Sequence, residues 1–191
     1  MSIINKKYAD LSAFSINFKS EKPFPHVILD NFLDETFFSN LDLENLDVNY
    51  EKGRSFNSDI EKNKWVSKNE KLSMDLKKII DELNNKDFLL NLFKLSGIKD
   101  LFSTNEGNTA LANYHEMYKS GFLGTHVDHS SEPNTGLPHV LNIILYLSKK
   151  WDKSWGGSTV LANSNGTKAE KLVEFIPNRA VIFLHSPFTF H

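Results

Sequence analysis

The sequence predicts an α+β fold built around a β-rich core, and three observations carry that prediction. Apolar residues recur at helical spacing through Leu72, Leu76, Ile79, Ile80 and Leu83, then again through Phe88, Leu89, Leu92, Phe93 and Leu95. Beyond residue 108 the pattern shortens to apolar or alternating runs divided by Gly, Pro, Asn and Ser turns. Strands and helices do not alternate as a parallel doubly wound sheet requires, so helices followed by closely spaced strands point to a closed or double-sheet β core with the helices packed on one sheet.

Each element follows from local chemistry. Residues 23–34 read as a short β-branched strand closed by turn residues, and Asp34 is placed to cap a helix over about 35–46. Segment 47–68 is polar around Phe56 and Trp65 and reads as an irregular loop or ragged hairpin, a candidate lid. The apolar periodicity of 69–97 gives two helices, broken near Asn84-Asn85 and ended by Gly97. Strands are then expected over Ala110–Tyr118, Leu123–Asp128, Val140–Leu147, Ser158–Ala162, Leu172–Phe175 and Ala180–His185.

A length of 191 residues suits a single domain spanning 1–191, helical or mixed over 1–107 with the β core in 108–191. With 22 basic and 24 acidic residues and a net charge of −2, there is no electrostatic footprint for nucleic acid or an anionic membrane. No stretch reaches the roughly 20 apolar residues of a membrane helix, and the N-terminus lacks a signal-peptide core, so a soluble cytoplasmic protein is expected. The absence of Cys leaves His, Asp and Glu as the side chains for any metal site.

His126 and Asp128 stand two residues apart. In a strand that spacing puts both heads on one face, close enough to share an ion. Alone the pair is weak, since a surface turn carries such a pair by accident. A third candidate, His191, follows the apolar strand Ala180–Leu184 and the turn Ser186-Pro187. Two His and one carboxylate on neighbouring strands make the facial triad of non-haem Fe(II) oxygenases, with three coordination positions open. His26, His115, His129, His139 and His185 compete as ligands, and His129 and His185 are assigned solvent or core roles.

The stretches from Tyr118 through His126-Val-Asp128, from Leu141 through Tyr146 to Trp151, Trp155-Gly156-Gly157, Ile176-Pro177-Asn-Arg179 through Phe183, and Ser186 through His191 together resemble the Fe(II)/2-oxoglutarate-dependent dioxygenases of the prolyl-hydroxylase-like group. The resemblance covers about residues 110–191. It implies a double-stranded β-helix, or jelly roll, in which His126, Asp128 and His191 hold Fe(II). It further implies 2-oxoglutarate as co-substrate, bound by Tyr146 and Tyr118, with ascorbate as a further candidate. The implied reaction consumes O2, releases succinate and CO2, and hydroxylates a peptidyl or free amino acid or another small metabolite. Relatives carry an Arg or Lys about ten residues past the last His to pair with the distal carboxylate, so the natural chain is expected to continue beyond His191. Arg179 opens a strand and is not expected to replace that cation. The alternative is a cupin-like jelly roll that binds metal or ligand without oxidative chemistry.

Overall fold

The computed structural model describes residues 2–41, 54–67, 72–102, 113–132 and 135–191. The chain opens with 3-10 turns at Lys6–Tyr8 and Leu11–Phe14 that run into α1 (Ser15–Ser20). The periodicity did not reveal these turns, because each is too short for a stripe and is set by its cap. Asn5 accepts from the Lys7 N–H and Asp10 from the Ser12 N–H. Strand β1 (His26–Leu29) follows, then α2 (Glu35–Asn40), whose expected cap Asp34 accepts from the N–H groups of Thr36 and Phe37. Helix α2 ends at Asn40, and residues 42–46 of the expected helix lie outside the described residues.

Of the candidate lid, residues 47–53 and 68 also lie outside the described residues. The remainder is a hairpin, β2 (Arg54–Phe56) and β3 (Glu61–Val66), and β3 pairs with a further strand, so this part is a sheet and not a free loop. Helices α3 (Met74–Asn84) and α4 (Lys86–Ser96) meet at Asn85, whose side chain accepts from the Phe88 N–H and starts the second helix. Gly97, at φ 80°, adopts the left-handed backbone that ends it. The expected start of the first helix, residues 69–71, lies outside the described residues.

The second half supplies β4 (His115–Leu123), β5 (Leu141–Leu145), β6 (Thr159–Ala162), β7 (Ala169–Val173) and β8 (Ala180–Leu184). Strand β4 runs further than expected because its register against β3 shifts at Asn63, while Ser120 takes a positive φ of 62°. The expected strand Leu123–Asp128 is corrected: β4 stops at Leu123, and residues 124–130 are irregular. Strand β7 sits earlier than the expected Leu172–Phe175, since its first half is polar and gives no apolar signal.

Among the described residues the strands form three antiparallel sheets, ordered β1-β8-β5, β2-β3-β4 and β6-β7, and do not close into a barrel. Strand β8 sits centrally, pairing with β1 and β5. On one face Ala180 and Ile182 join Val27, Leu29, Leu76, Ile79, Leu92 and Leu95, so the helices pack on this sheet as expected. On the other, Val181 and Phe183 meet Phe24, Tyr146, Leu161 and Val173, which brings β6-β7 onto the opposite side. Burial of each such Leu, Ile or Phe is worth about 1.5–3 kcal/mol. Asn178, buried at φ 61°, ties the β8 entry to the β1 exit by bonding both the N–H and C=O of Leu33. Among the described residues no helix is long and apolar enough to cross a membrane.

Candidate metal centre

The segment carrying His126 and Asp128 leaves β4 without strand structure, so same-face alternation along a strand does not bring the two together. What positions them is a reciprocal backbone pair. The His126 N–H donates to the His191 carbonyl at 2.9 Å, and the His191 N–H returns to the His126 carbonyl at 3.0 Å. The Ala162 N–H also binds the Phe190 carbonyl at 2.9 Å, so the segment after β8 is held between the His126 loop and β6. The two imidazoles consequently lie with ring centroids 4.5 Å apart, and Phe183 packs edge-on against His191 at 4.8 Å.

Asp128 completes the group. Its Oδ1 is 3.4 Å from His126 Nε2, and its Oδ2 is 3.6 Å from His191 Nε2. One ligand atom from each of the three falls within 4.8 Å of the others, and this is the one such His, Asp or Glu group among the described residues. Donors bound at ~2.1 Å and nearly at right angles stand ~3 Å apart, so the spacing suits one divalent ion. The hydrogen bonds on the far side of each ring fit as well. His126 Nδ1 binds the Gly124 carbonyl at 2.9 Å and His191 Nδ1 binds the Thr189 carbonyl at 3.3 Å. Each carbonyl requires the N–H on Nδ1, which leaves Nε2 of each ring as the atom that faces Asp128.

The electrostatics follow the same contacts. Burial alone would raise Asp128, but the hydrogen bond from His126 and the charges of His191 and His126 outweigh it and hold the carboxyl below the usual range. The Asp128 hydrogen bond raises His126, whereas burial lowers His191. The two histidines are thus shifted in opposite directions around one carboxylate.

The other expected site residues are less uniform. Tyr146 is buried, its hydroxyl 2.6 Å from Thr159 Oγ1 and its ring stacked on Phe175 at 4.5 Å. Tyr118 is half exposed on β4 and donates to Glu116 Oε2 at 2.8 Å. The two tyrosines, the triad and Trp155 line one open cleft of about 2740 Å³. Arg179 is committed elsewhere, with Nε and Nη2 on the Asp30 carboxylate at 2.6 and 3.1 Å and Nη1 on the Glu174 carbonyl. His185 is buried and stacks on His139 at 4.3 Å, as its core role requires. Gly157, at φ 74°, passes so close to Trp151 that a Cβ there would lie 2.6 Å from the indole. Gly157 is therefore a site of close packing, whereas a Cβ at Gly156 would meet open space.

Sequence reasoning missed Asn142, Thr159 and Lys64. Asn142 donates to Asp128 Oδ2 at 2.8 Å. The signal that could have found it is its parity with Ile144 on β5 and with Tyr146 just past its end. Lys64, 9% exposed, borders the cleft with its Nζ 2.8 Å from Glu61 Oε1. Nothing in a stretch of alternating Lys marks it as buried.

Residues 110–191 match the model of the 2OG-Fe(II) oxygenase superfamily. No curated protein matches the chain. The matched stretch, with its His-Asp-His group, is a 2OG-Fe(II) oxygenase domain. The protein is accordingly a 2-oxoglutarate/Fe(II)-dependent dioxygenase, an oxidoreductase whose cofactors are Fe(II) and 2-oxoglutarate.

Proposed function

We propose that His126, Asp128 and His191 hold the Fe(II) of a hydroxylase of the prolyl-hydroxylase-like group, in which residues 1–191 act as a single oxygenase domain with a jelly-roll type of core. The observation that carries the ligand assignment is the convergence of the three donor atoms within 4.8 Å, with both imidazole Nδ1 atoms already committed to carbonyls. When bound, the iron with 2-oxoglutarate and O2 supplies an oxidant strong enough to hydroxylate an unactivated C–H bond. The chain's own residues do the rest. The triad offers one face of donors and leaves the opposite side toward the cleft. The Gly124 and Thr189 carbonyls fix the imidazole tautomers, and Phe183 packs edge-on against His191.

In this proposal Tyr146 and Tyr118 bind 2-oxoglutarate. Tyr146, paired with Thr159, offers a buried hydroxyl at the cleft wall that suits a carboxylate oxygen. The substrate is a peptidyl or free amino acid of proline-like size or a comparable metabolite, taken into an open cleft whose wall carries the exposed indole of Trp155. The reaction is a cytoplasmic one.

The test combines metal binding with turnover. The parent should bind Mn(II) or Fe(II) anaerobically, and Asp128→Ala should lose that binding. A panel of prolyl peptides and free amino acids screened by succinate release should identify a substrate that raises succinate above the uncoupled rate. Equal metal affinity in parent and Asp128→Ala would remove the triad assignment. Succinate release that no amino acid or peptide stimulates would remove the substrate class.

A further inference from the structure

Asp128 is the one triad member whose backbone neither belongs to a strand nor joins the reciprocal bond pair. Its side chain rotates about two bonds, and a carboxylate can meet a metal through one oxygen or through both. The difference matters, because six-coordinate iron with three protein donors keeps three positions open, whereas a chelating carboxylate leaves two. A bidentate co-substrate and O2 together require three.

Asn142 bears on that choice. It lies on β5, opposite Phe183 of β8, in a strand pair that runs from Leu141↔Leu184 to Leu145↔Ala180. Leu141, Ile143 and Leu145 face the helical core, so alternation turns Asn142 to the side carrying Phe183 and His191. From there its Nδ2 reaches Asp128 Oδ2 at 2.8 Å. An ionised carboxylate has no hydrogen to give, so the NH2 end of the carboxamide must be the donor, and the orientation is set by chemistry. Oδ1 receives no such bond and faces His126 Nε2.

We propose that Asn142 is a positioning residue that clamps Oδ2 of Asp128, so that the carboxylate offers the metal Oδ1 alone and the third open position is kept for the co-substrates. This rests on the reading of Asp128 as a metal ligand and adds to it the residue that fixes how the ligand is used. A rigid paired strand thus orients a ligand that its own irregular segment leaves free to turn. Outer hydrogen bonds of this kind, when removed, typically cost about 10–100-fold in metal affinity.

The experiment compares the full chain, Asn142→Leu, which keeps the shape but has no donor, Asn142→Asp, which keeps the shape but replaces the donor with an acceptor, and Asp128→Ala. Each is titrated anaerobically with Co(II), whose visible ligand-field absorption reports coordination number, and each is melted to confirm folding. Both Asn142 variants should bind Co(II) about 10–100-fold more weakly and should show a changed ligand-field band at saturation. A role confined to packing would alter the melting temperature and leave the band as in the parent. If either folded variant binds Co(II) within a few-fold of the parent with an unchanged band, the clamp is disproved, and should Asn142→Leu not fold, Asn142→Asp decides alone. Asp128→Ala separates the two levels. Its loss of Co(II) binding alongside parent-like Asn142 variants overturns only the clamp, whereas its retention of parent-like binding overturns the ligand reading beneath it.

Discussion

The two faces of the β1-β8-β5 sheet share strands and register but are built from different chemistry. Toward the helices, Ala180, Ile182, Val27 and Leu29 join the stripes of α3 and α4 in one hydrophobic cluster. Toward β6-β7 the same strands present Val181 and Phe183, but also His26, Asn142 and, just past β5, Tyr146. His26, Phe183 and Asn142 form one row across the three strands, since both neighbours pair with Phe183. The polar members of this face each have a specific partner: His26 Nδ1 has the Phe24 carbonyl, Asn142 has Asp128, and Tyr146 has Thr159. Non-directional burial holds one face, while the other is held by bonds that also aim side chains at the metal site.

Substitutions on the two faces should therefore separate stability from function. The largest effect is expected at His191→Ala, which removes one of the three proposed ligands and should reduce anaerobic Mn(II) binding below detection in a calorimetric titration. Its melting temperature should fall by less than that of a core variant. Next, Ile182→Ala empties a fully buried position in the helical layer and should cost about 2–5 kcal/mol in denaturant unfolding while leaving metal affinity unchanged. A large loss of metal affinity in Ile182→Ala, measured where the variant is still folded, would show that the faces are coupled. Smaller again, Tyr146→Phe deletes the hydroxyl paired with Thr159 and should cost about 0.5–1.5 kcal/mol. The same change should weaken 2-oxoglutarate binding to the Mn(II)-loaded protein. Unaltered co-substrate affinity would confine Tyr146 to packing.

How much was legible in the sequence follows the same division. The helical stripes, the Asn84-Asn85 break and the Gly97 stop announced themselves because burial on one face imposes a period of 3.6 residues. His126, Asp128 and His191 were legible as residue types in order, but not by the mechanism that unites them. Alternation along a strand was expected, and the structure uses backbone hydrogen bonds between two irregular segments instead. Asn142 and Thr159 were illegible as partners because a side-chain hydrogen bond across 14 or 13 residues leaves no local pattern. The short N-terminal turns escaped for the complementary reason. A single capping side chain sets each of them, and no periodicity records that.

The smallest expected effect concerns protonation on the polar face. His26 is 1% exposed, and burial holds it below the ordinary histidine value. The groups facing it are opposed: Lys171 also lowers it, whereas the Phe24 carbonyl and Glu21, 3.7 Å from Nε2, raise it. Because its folded value lies below the unfolded value of about 6.5, the unfolded chain binds more protons as the solution is acidified through that value. The contribution of His26 to stability is thus present above about pH 6.5 and declines as pH falls below it. His185 and His191 shift in the same direction, while the raised His126 acts oppositely and loses its contribution as pH rises. Burial pushes His115 down as well, to about 4, so a single pH profile mixes five histidines, and the difference between the parent and His26→Gln is what isolates one. Urea unfolding of both from pH 7.5 to 5 should show the parent losing its advantage progressively below about pH 6.5. Parallel profiles would mean that Glu21 offsets the cost of burial, which would place His26 among the groups indifferent to protonation and leave the polar face without a pH-dependent member outside the metal site and its His185 neighbour.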